Sequence, residues 1–305
     1  MDGTPARIVG QTRKLRLLVP VLMLLASHAI AQAPTIALPP SVPAPSVPGT
    51  QVSSPQSVAL SAVLSGDTRP IRSGLVWRIY VDKGPGAQPE LKEKLSAPTP
   101  TTTLDPGAYV IHAAYGLSSA MKRITVSNNG VTERLVIDAG ALRLGGMIAG
   151  VPIAPERIDF SIFQPQQNNP EGKLIATKVR GGDIVRLPEG SYHVVSTYGE
   201  SNAIMRADLK VDRGRITEAT LNHRAATVTL KLVGAPGGEA FAGTAFSVLT
   251  PGGDVVREAI GAFPSVVLAE GEYTLIARHD GKIHTREFRV ETGLNVDVEV
   301  LAGSN

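Results

Sequence analysis

The chain has 305 residues, with 30 basic and 27 acidic side chains and no cysteine. Without cysteine there is no disulfide, no thiolate-held zinc or iron–sulfur centre, no cysteine nucleophile and no site for a lipid thioether anchor. Four of the basic residues and one of the acidic ones fall in residues 1–31, so the remainder holds 26 of each. It lacks the clustered cations on which nucleic-acid binding depends.

Residues 1–31 read as a secretory signal peptide. Arg7, Arg13, Lys14 and Arg16 form a basic head, and Leu17 to Ala31 is apolar apart from Ser27 and His28. Ala29-Ile30-Ala31 then supplies the small-x-small cleavage pattern. The apolar run is short for a membrane span, which needs roughly 20 residues, and it contains Pro20. Cleavage is expected between Ala31 and Gln32, leaving no membrane span behind. Residues 32–56 form a proline-rich spacer, with seven prolines between Ala33 and Pro55. Such a composition favours extended polyproline II and holds the downstream chain away from a surface.

From Ser57 the text is β throughout. Alternating runs open at Val58–Leu64 (VALSAVL), Ala141–Ile148 (ALRLGGMI) and Ala226–Val233 (ATVTLKLV), and period-2 alternation marks half-buried strands. A second strand comes after each, at Val76–Val81, Ile158–Phe163 and Ala245–Leu249, with Trp77, Phe160 and Phe246 at equivalent places. Next comes a motif in three copies: Leu104-Asp-Pro-Gly107-Ala-Tyr109, Leu187-Pro-Glu-Gly190-Ser-Tyr192 and Leu268-Ala-Glu-Gly271-Glu-Tyr273. The glycines lie 83 and 81 residues apart, a period that means one folding unit repeated. The units are placed at 57–139, 140–224 and 225–302. The joints Asp138-Ala-Gly140 and Asn222-His-Arg224 are short enough to couple neighbours tightly and favour an elongated array.

About seven short strands in some 80 residues is the pattern of an antiparallel β-sandwich. The tyrosine fits that picture: at the start of a late strand its ring enters the core and its hydroxyl bonds back to the preceding corner. The glycine two residues earlier is expected to supply the tight or left-handed turn that delivers the ring. The fold class is therefore all-β, three tandem Greek-key sandwiches. The pattern Leu-x-x-Gly-x-Tyr resembles that of the transthyretin-like and carboxypeptidase-regulatory-like (Ig-like) domains found in tandem on exported bacterial proteins. That resemblance covers Ser57 to Leu301 and implies a structural, spacer or binding role. It transfers no ligand-binding residue, because the matched positions are architectural.

Candidate chemistry is sparse. His279 and His284 flank Asp280-Gly281, a two-residue hairpin signal, and fall short of the three or four ligands a metal site needs. No Gly-x-Ser-x-Gly elbow occurs, and the paired glycines fall among strands, not ahead of a helix. No catalytic residue, metal or cofactor is assigned. Tyr115, Tyr198 and His279 each come six positions after the motif tyrosine, on the same strand face but beside a turn. There an aromatic either caps the core or meets a sugar or partner. The reading is a non-enzymatic exported protein of the bacterial envelope, periplasmic or on the cell surface, serving as a structural or interaction module. Carbohydrate binding by the sandwich rims is the alternative. The expected partner is accordingly an envelope protein or polysaccharide, and not nucleic acid.

Overall fold

Alternation in the three opening runs folds as period 2 requires: in VALSAVL, Val58, Leu60 and Ala62 are buried while Ser61 is only half-buried. The computed structural model describes residues 54–303. The signal segment, the Ala31–Gln32 cleavage point and nearly all of the proline-rich spacer lie outside the described residues.

The first sandwich is built from β1 (Gln56–Leu64), β2 (Leu75–Val81), β3 (Glu90–Leu95), β4 (Thr101–Leu104), β5 (Gly107–Tyr115), β6 (Ser118–Val126) and β7 (Val131–Ile137). One sheet has the order β4-β1-β7, the other β3-β2-β5-β6. Their facing sides share one core, in which Trp77, Ile79, Ile111 and Ile137 are fully buried.

The second sandwich repeats this with β8 (Ala139–Ile148), β9 (Val151–Pro152), β10 (Ile158–Gln166), β11 (Asn169–Arg180), β12 (Ile184–Pro188), β13 (Gly190–Tyr198), β14 (Ile204–Val211) and β15 (Ile216–Asn222). Its sheets run β12-β8-β15 and β11-β10-β13-β14, with the two-residue β9 paired to β8. A 3-10 turn, Pro155–Arg157, leads into β10. The third comprises β16 (Ala225–Val233), β17 (Ala245–Leu249), β18 (Val255–Ile260), β19 (Ser265–Ala269), β20 (Gly271–His279), β21 (Lys282–Val290) and β22 (Val296–Leu301). The orders are β19-β16-β22 and β18-β17-β20-β21.

Two features differ from the sequence reading. In each small sheet the first and last strands pair in parallel: β1 with β7, β8 with β15 and β16 with β22. A unit that enters at one end and exits at the other places those two strands side by side in the same direction. The joints are also shorter than read, since only Asp138 separates β7 from β8 and only His223-Arg224 separates β15 from β16. Each large sheet shifts register between its second strand and its edge strand at one recurring place, Ile79/Tyr80, Ile162/Phe163 and Val248/Leu249. A bulge there twists the edge strand and blunts it against pairing with another chain.

Candidate functional site

The three corner tyrosines are buried, Tyr109 at 5%, Tyr192 at 2% and Tyr273 at 5% exposure. Each hydroxyl donates to the carbonyl four residues upstream: Tyr109 to Asp105 at 3.0 Å, Tyr192 to Pro188 at 2.8 Å and Tyr273 to Ala269 at 2.9 Å. The glycines work differently from the expected left-handed turn. Gly107 has no positive φ, whereas Gly190 and Gly271, at 155° and 159°, hold a positive-φ backbone that lies outside the left-handed turn region and that side-chain-bearing residues rarely adopt. What the three share is contact: a Cβ at Gly107, Gly190 or Gly271 would meet the motif tyrosine's ring at 3.6, 3.9 and 3.8 Å. That is ordinary van der Waals contact, so the ring would tolerate a Cβ there, and at Gly190 and Gly271 it is the backbone that favours glycine. The carboxylates of the later motifs pin neighbouring chain, Glu189 to Arg213 at 2.5 Å and Glu270 to Arg224 of the second joint at 2.7 Å. Bonds from Arg224 and Thr292 bring the Glu270 pKa down to about 2, so that clamp persists into acid.

Tyr115 and Tyr198 lie at the joints, not on free rims. After each comes a glycine in left-handed backbone, Gly116 at φ 64° and Gly199 at φ 70°. A Cβ at Gly116 would lie 2.7 Å from the Cβ of Arg186, and one at Gly199 would lie 2.7 Å from that of Val267. Arg186 and Val267 both precede the motif leucine of the next sandwich. Both joints are thus the same contact, and only glycine satisfies both its backbone and its space. Around the first joint the Arg186 guanidinium sits 4.5 Å over the Tyr115 ring, and the Leu117 N–H donates to the Arg186 carbonyl at 3.0 Å. Around the second, Tyr198, Ala203, Ala225 and Val267 form a small buried cluster. Asn202 bridges it, donating to the Tyr273 hydroxyl at 2.8 Å and accepting from the Ala269 N–H at 3.0 Å.

His279 is the third member of the series and lies at the far end of the third sandwich, its ring stacked on Phe241 with centroids 5.2 Å apart. The glycine position after it is Asp280, at φ 46°, which with Gly281 makes the β20–β21 hairpin turn. Among the described residues no group of three or more histidines and acids is placed to hold a metal.

Residues 227–302, within the third sandwich, match the Rhizobiales growth-associated tandem repeat domain. No curated protein matches the chain. Solved structures similar to it include the Bacillus anthracis TIE protein (14% identity, 81% of this chain and 51% of that one, TM-score 0.24). A streptococcal ancillary pilin (9%, 82% and 100%, 0.30) and BcpA, the major pilin subunit of Bacillus cereus (10%, 82% and 100%, 0.23), are others. The chain thus spans about half the length of the TIE protein.

One polar pair inside the second joint went unread in the sequence. Ser196, fully buried where the first and third sandwiches have Ala113 and Ala277, bonds His223 Nε2 at 2.6 Å. His223 is 2% exposed and meets the edge of Tyr198. With both groups sealed from solvent the pair cannot reach a substrate, so it serves the joint. Burial holds the His223 pKa below the ordinary histidine value, offset in part by a bond to the Ala203 backbone. Between that depressed value and the unfolded value near ~6.5, the unfolded chain binds a proton that the folded chain lacks. Stability therefore falls as pH drops below about 6.5. The melting temperature is expected to drop from pH 7.5 to pH 5 in the parent and to drop less in His223→Gln. His112, lowered by burial and by Arg78, accounts for part of the remainder. An equal drop in both proteins would assign the acid sensitivity elsewhere.

Proposed function

We propose that the protein is a non-enzymatic, exported module of the bacterial envelope that holds three sandwiches in fixed relation and presents them to a partner. The observation that carries this reading is the joint. Gly116 on Arg186 and Gly199 on Val267 are repeat-equivalent contacts, and the corner tyrosine of the third sandwich is itself bonded across the second joint. Export rests on the basic head, apolar run and small-x-small pattern of residues 1–31. The match of residues 227–302 to a tandem repeat domain supports a role that repetition itself serves.

The test is the mass and location of the natural protein. Chain recovered from the envelope fraction is expected to begin at Gln32, and crosslinks formed in intact cells should join it to envelope components. Recovery from the cytoplasm with residues 1–31 intact would overturn the proposal.

A further inference from the structure

The two joints share a contact but not a surface. At the second joint, arginines are consumed by protein partners: Arg157 bonds Thr227, Arg224 binds Glu270 and Arg257 binds Glu200. At the first joint Arg213 is likewise held, by Glu189 and Asp138, but three other arginines are left over. Two adjoining hollows of about 360 and 230 Å³ open there, sharing Leu64 and Tyr115 as a common wall. The smaller has an apolar floor of Ala139, Ala141, Ile184 and Ile216, the two isoleucines 40% and 48% exposed. Arg186 and Arg215 stand at its rim, while Arg69 and Arg72 line the larger hollow. Asp67 is the one carboxylate among the described residues lining either, and Arg69 neutralises it at 3.2 Å. Arg72, Arg186 and Arg215 have no side-chain hydrogen bond or ion pair among the described residues.

That combination selects a ligand. Two unpaired guanidiniums at the rim of the cleft, with a third in the hollow that adjoins it, attract an anion, and the planar fork of arginine matches a carboxylate in particular. Stacking on Tyr115 holds the Arg186 guanidinium in place while leaving its in-plane N–H groups free to donate. The floor between the cations is apolar, which suits the C–H face of a sugar ring. A peptide adding itself as a strand is disfavoured, because the Arg186 carbonyl on the β12 edge is already taken by Leu117.

We propose that the cleft between the first and second sandwiches binds an acidic polysaccharide, with Arg72, Arg186 and Arg215 taking sugar carboxylates and the floor beside Tyr115 taking a ring face. This deepens the interaction-module reading by naming a ligand class, and rests on it. The envelope mass and location test that reading separately.

The experiment uses the chain from Gln32 onward, with polygalacturonate and alginate as probes and titration calorimetry as the readout. Both polymers are expected to bind, more weakly at high salt, and neutral dextran is not. The double variant Arg72→Gln/Arg215→Gln, altering two exposed side chains, should lose at least about tenfold in affinity while melting like the parent, two charge-assisted bonds being removed. Arg278→Gln, an equally exposed arginine of the third sandwich, should bind like the parent. No binding of either acidic polymer would overturn the proposal. So would an equal loss in Arg278→Gln, which means bulk charge alone, or poly-glutamate binding as tightly, which means an acidic peptide.

Discussion

Replacing Tyr109 by alanine is expected to destabilise the first sandwich by roughly 3–5 kcal/mol, and replacing it by phenylalanine by about 1 kcal/mol. The ring lies in the same core as Trp77, Ile79 and Ile111, so truncation leaves a cavity that strands fixed on both sides cannot close. Phenylalanine keeps the packing and loses only the bond to the Asp105 carbonyl. The readout is unusually clean because Trp77 is the single tryptophan of the chain. It is fully buried in this core with its indole N–H on the Ala97 carbonyl at 3.0 Å. Denaturant unfolding followed by tryptophan emission therefore reports the first sandwich. Tyr192→Ala, in the second core, should leave that transition much closer to the parent's. Tyr273→Phe should cost more than Tyr109→Phe, roughly 2 kcal/mol, because the Asn202 amide loses its acceptor as well. A Tyr109→Ala protein melting within about 1 kcal/mol of the parent would remove the corner from its place in the fold.

The parts of the architecture legible in the sequence are those with a short-range signature. The tyrosine, its glycine and its leucine sit within six residues, and the opening strands alternate cleanly because one face of each is buried. The edge strands β3, β11 and β18 left no such mark. In ELKEKL every side chain is exposed or half-exposed, so no apolar period forms. Parallel pairing of first and last strands is invisible locally, since Val58 and its partner Val131 are joined only through the finished sandwich. The candidate site fared likewise. Tyr115, Tyr198 and His279 stand out as a series, but their neighbours across the joint do not, because Arg186 and Val267 share a position and not a chemistry. The glycines just after the two tyrosines read simply as turns. Their second role appears only when the next unit is placed 2.7 Å from where a Cβ would stand.

That second role makes Gly199→Asp the substitution with the largest expected effect on the relation between sandwiches. The left-handed backbone alone costs an aspartate roughly 1–3 kcal/mol. The new Cβ would also stand 2.7 Å from the Cβ of Val267 and 2.9 Å from one of its Cγ atoms, so the second joint must open. Opening exposes Tyr198, Ala203 and Ala225, strands His223 and Ser196 at a wet surface, and parts Asn202 from Tyr273. With no native cysteine to compete, nitroxides at Lys94→Cys and Glu287→Cys report the separation of the first and third sandwiches directly. The parent should give one narrow distance distribution, and Gly199→Asp a broad one with earlier unfolding of the third sandwich. Asp280→Gly supplies the reciprocal control. Asp280 already occupies the equivalent position at the outer end of the third sandwich, where Gly281 beside it has nothing within 4 Å. Its replacement should change stability by less than about 1 kcal/mol and leave the distance distribution intact. An unchanged narrow distribution in Gly199→Asp would mean that the other contacts across the joint, Arg157 on Thr227, Arg257 on Glu200 and Asn202 on Tyr273, hold the sandwiches without it, and the repeat-equivalent glycine contact would lose its standing as the basis of the scaffold.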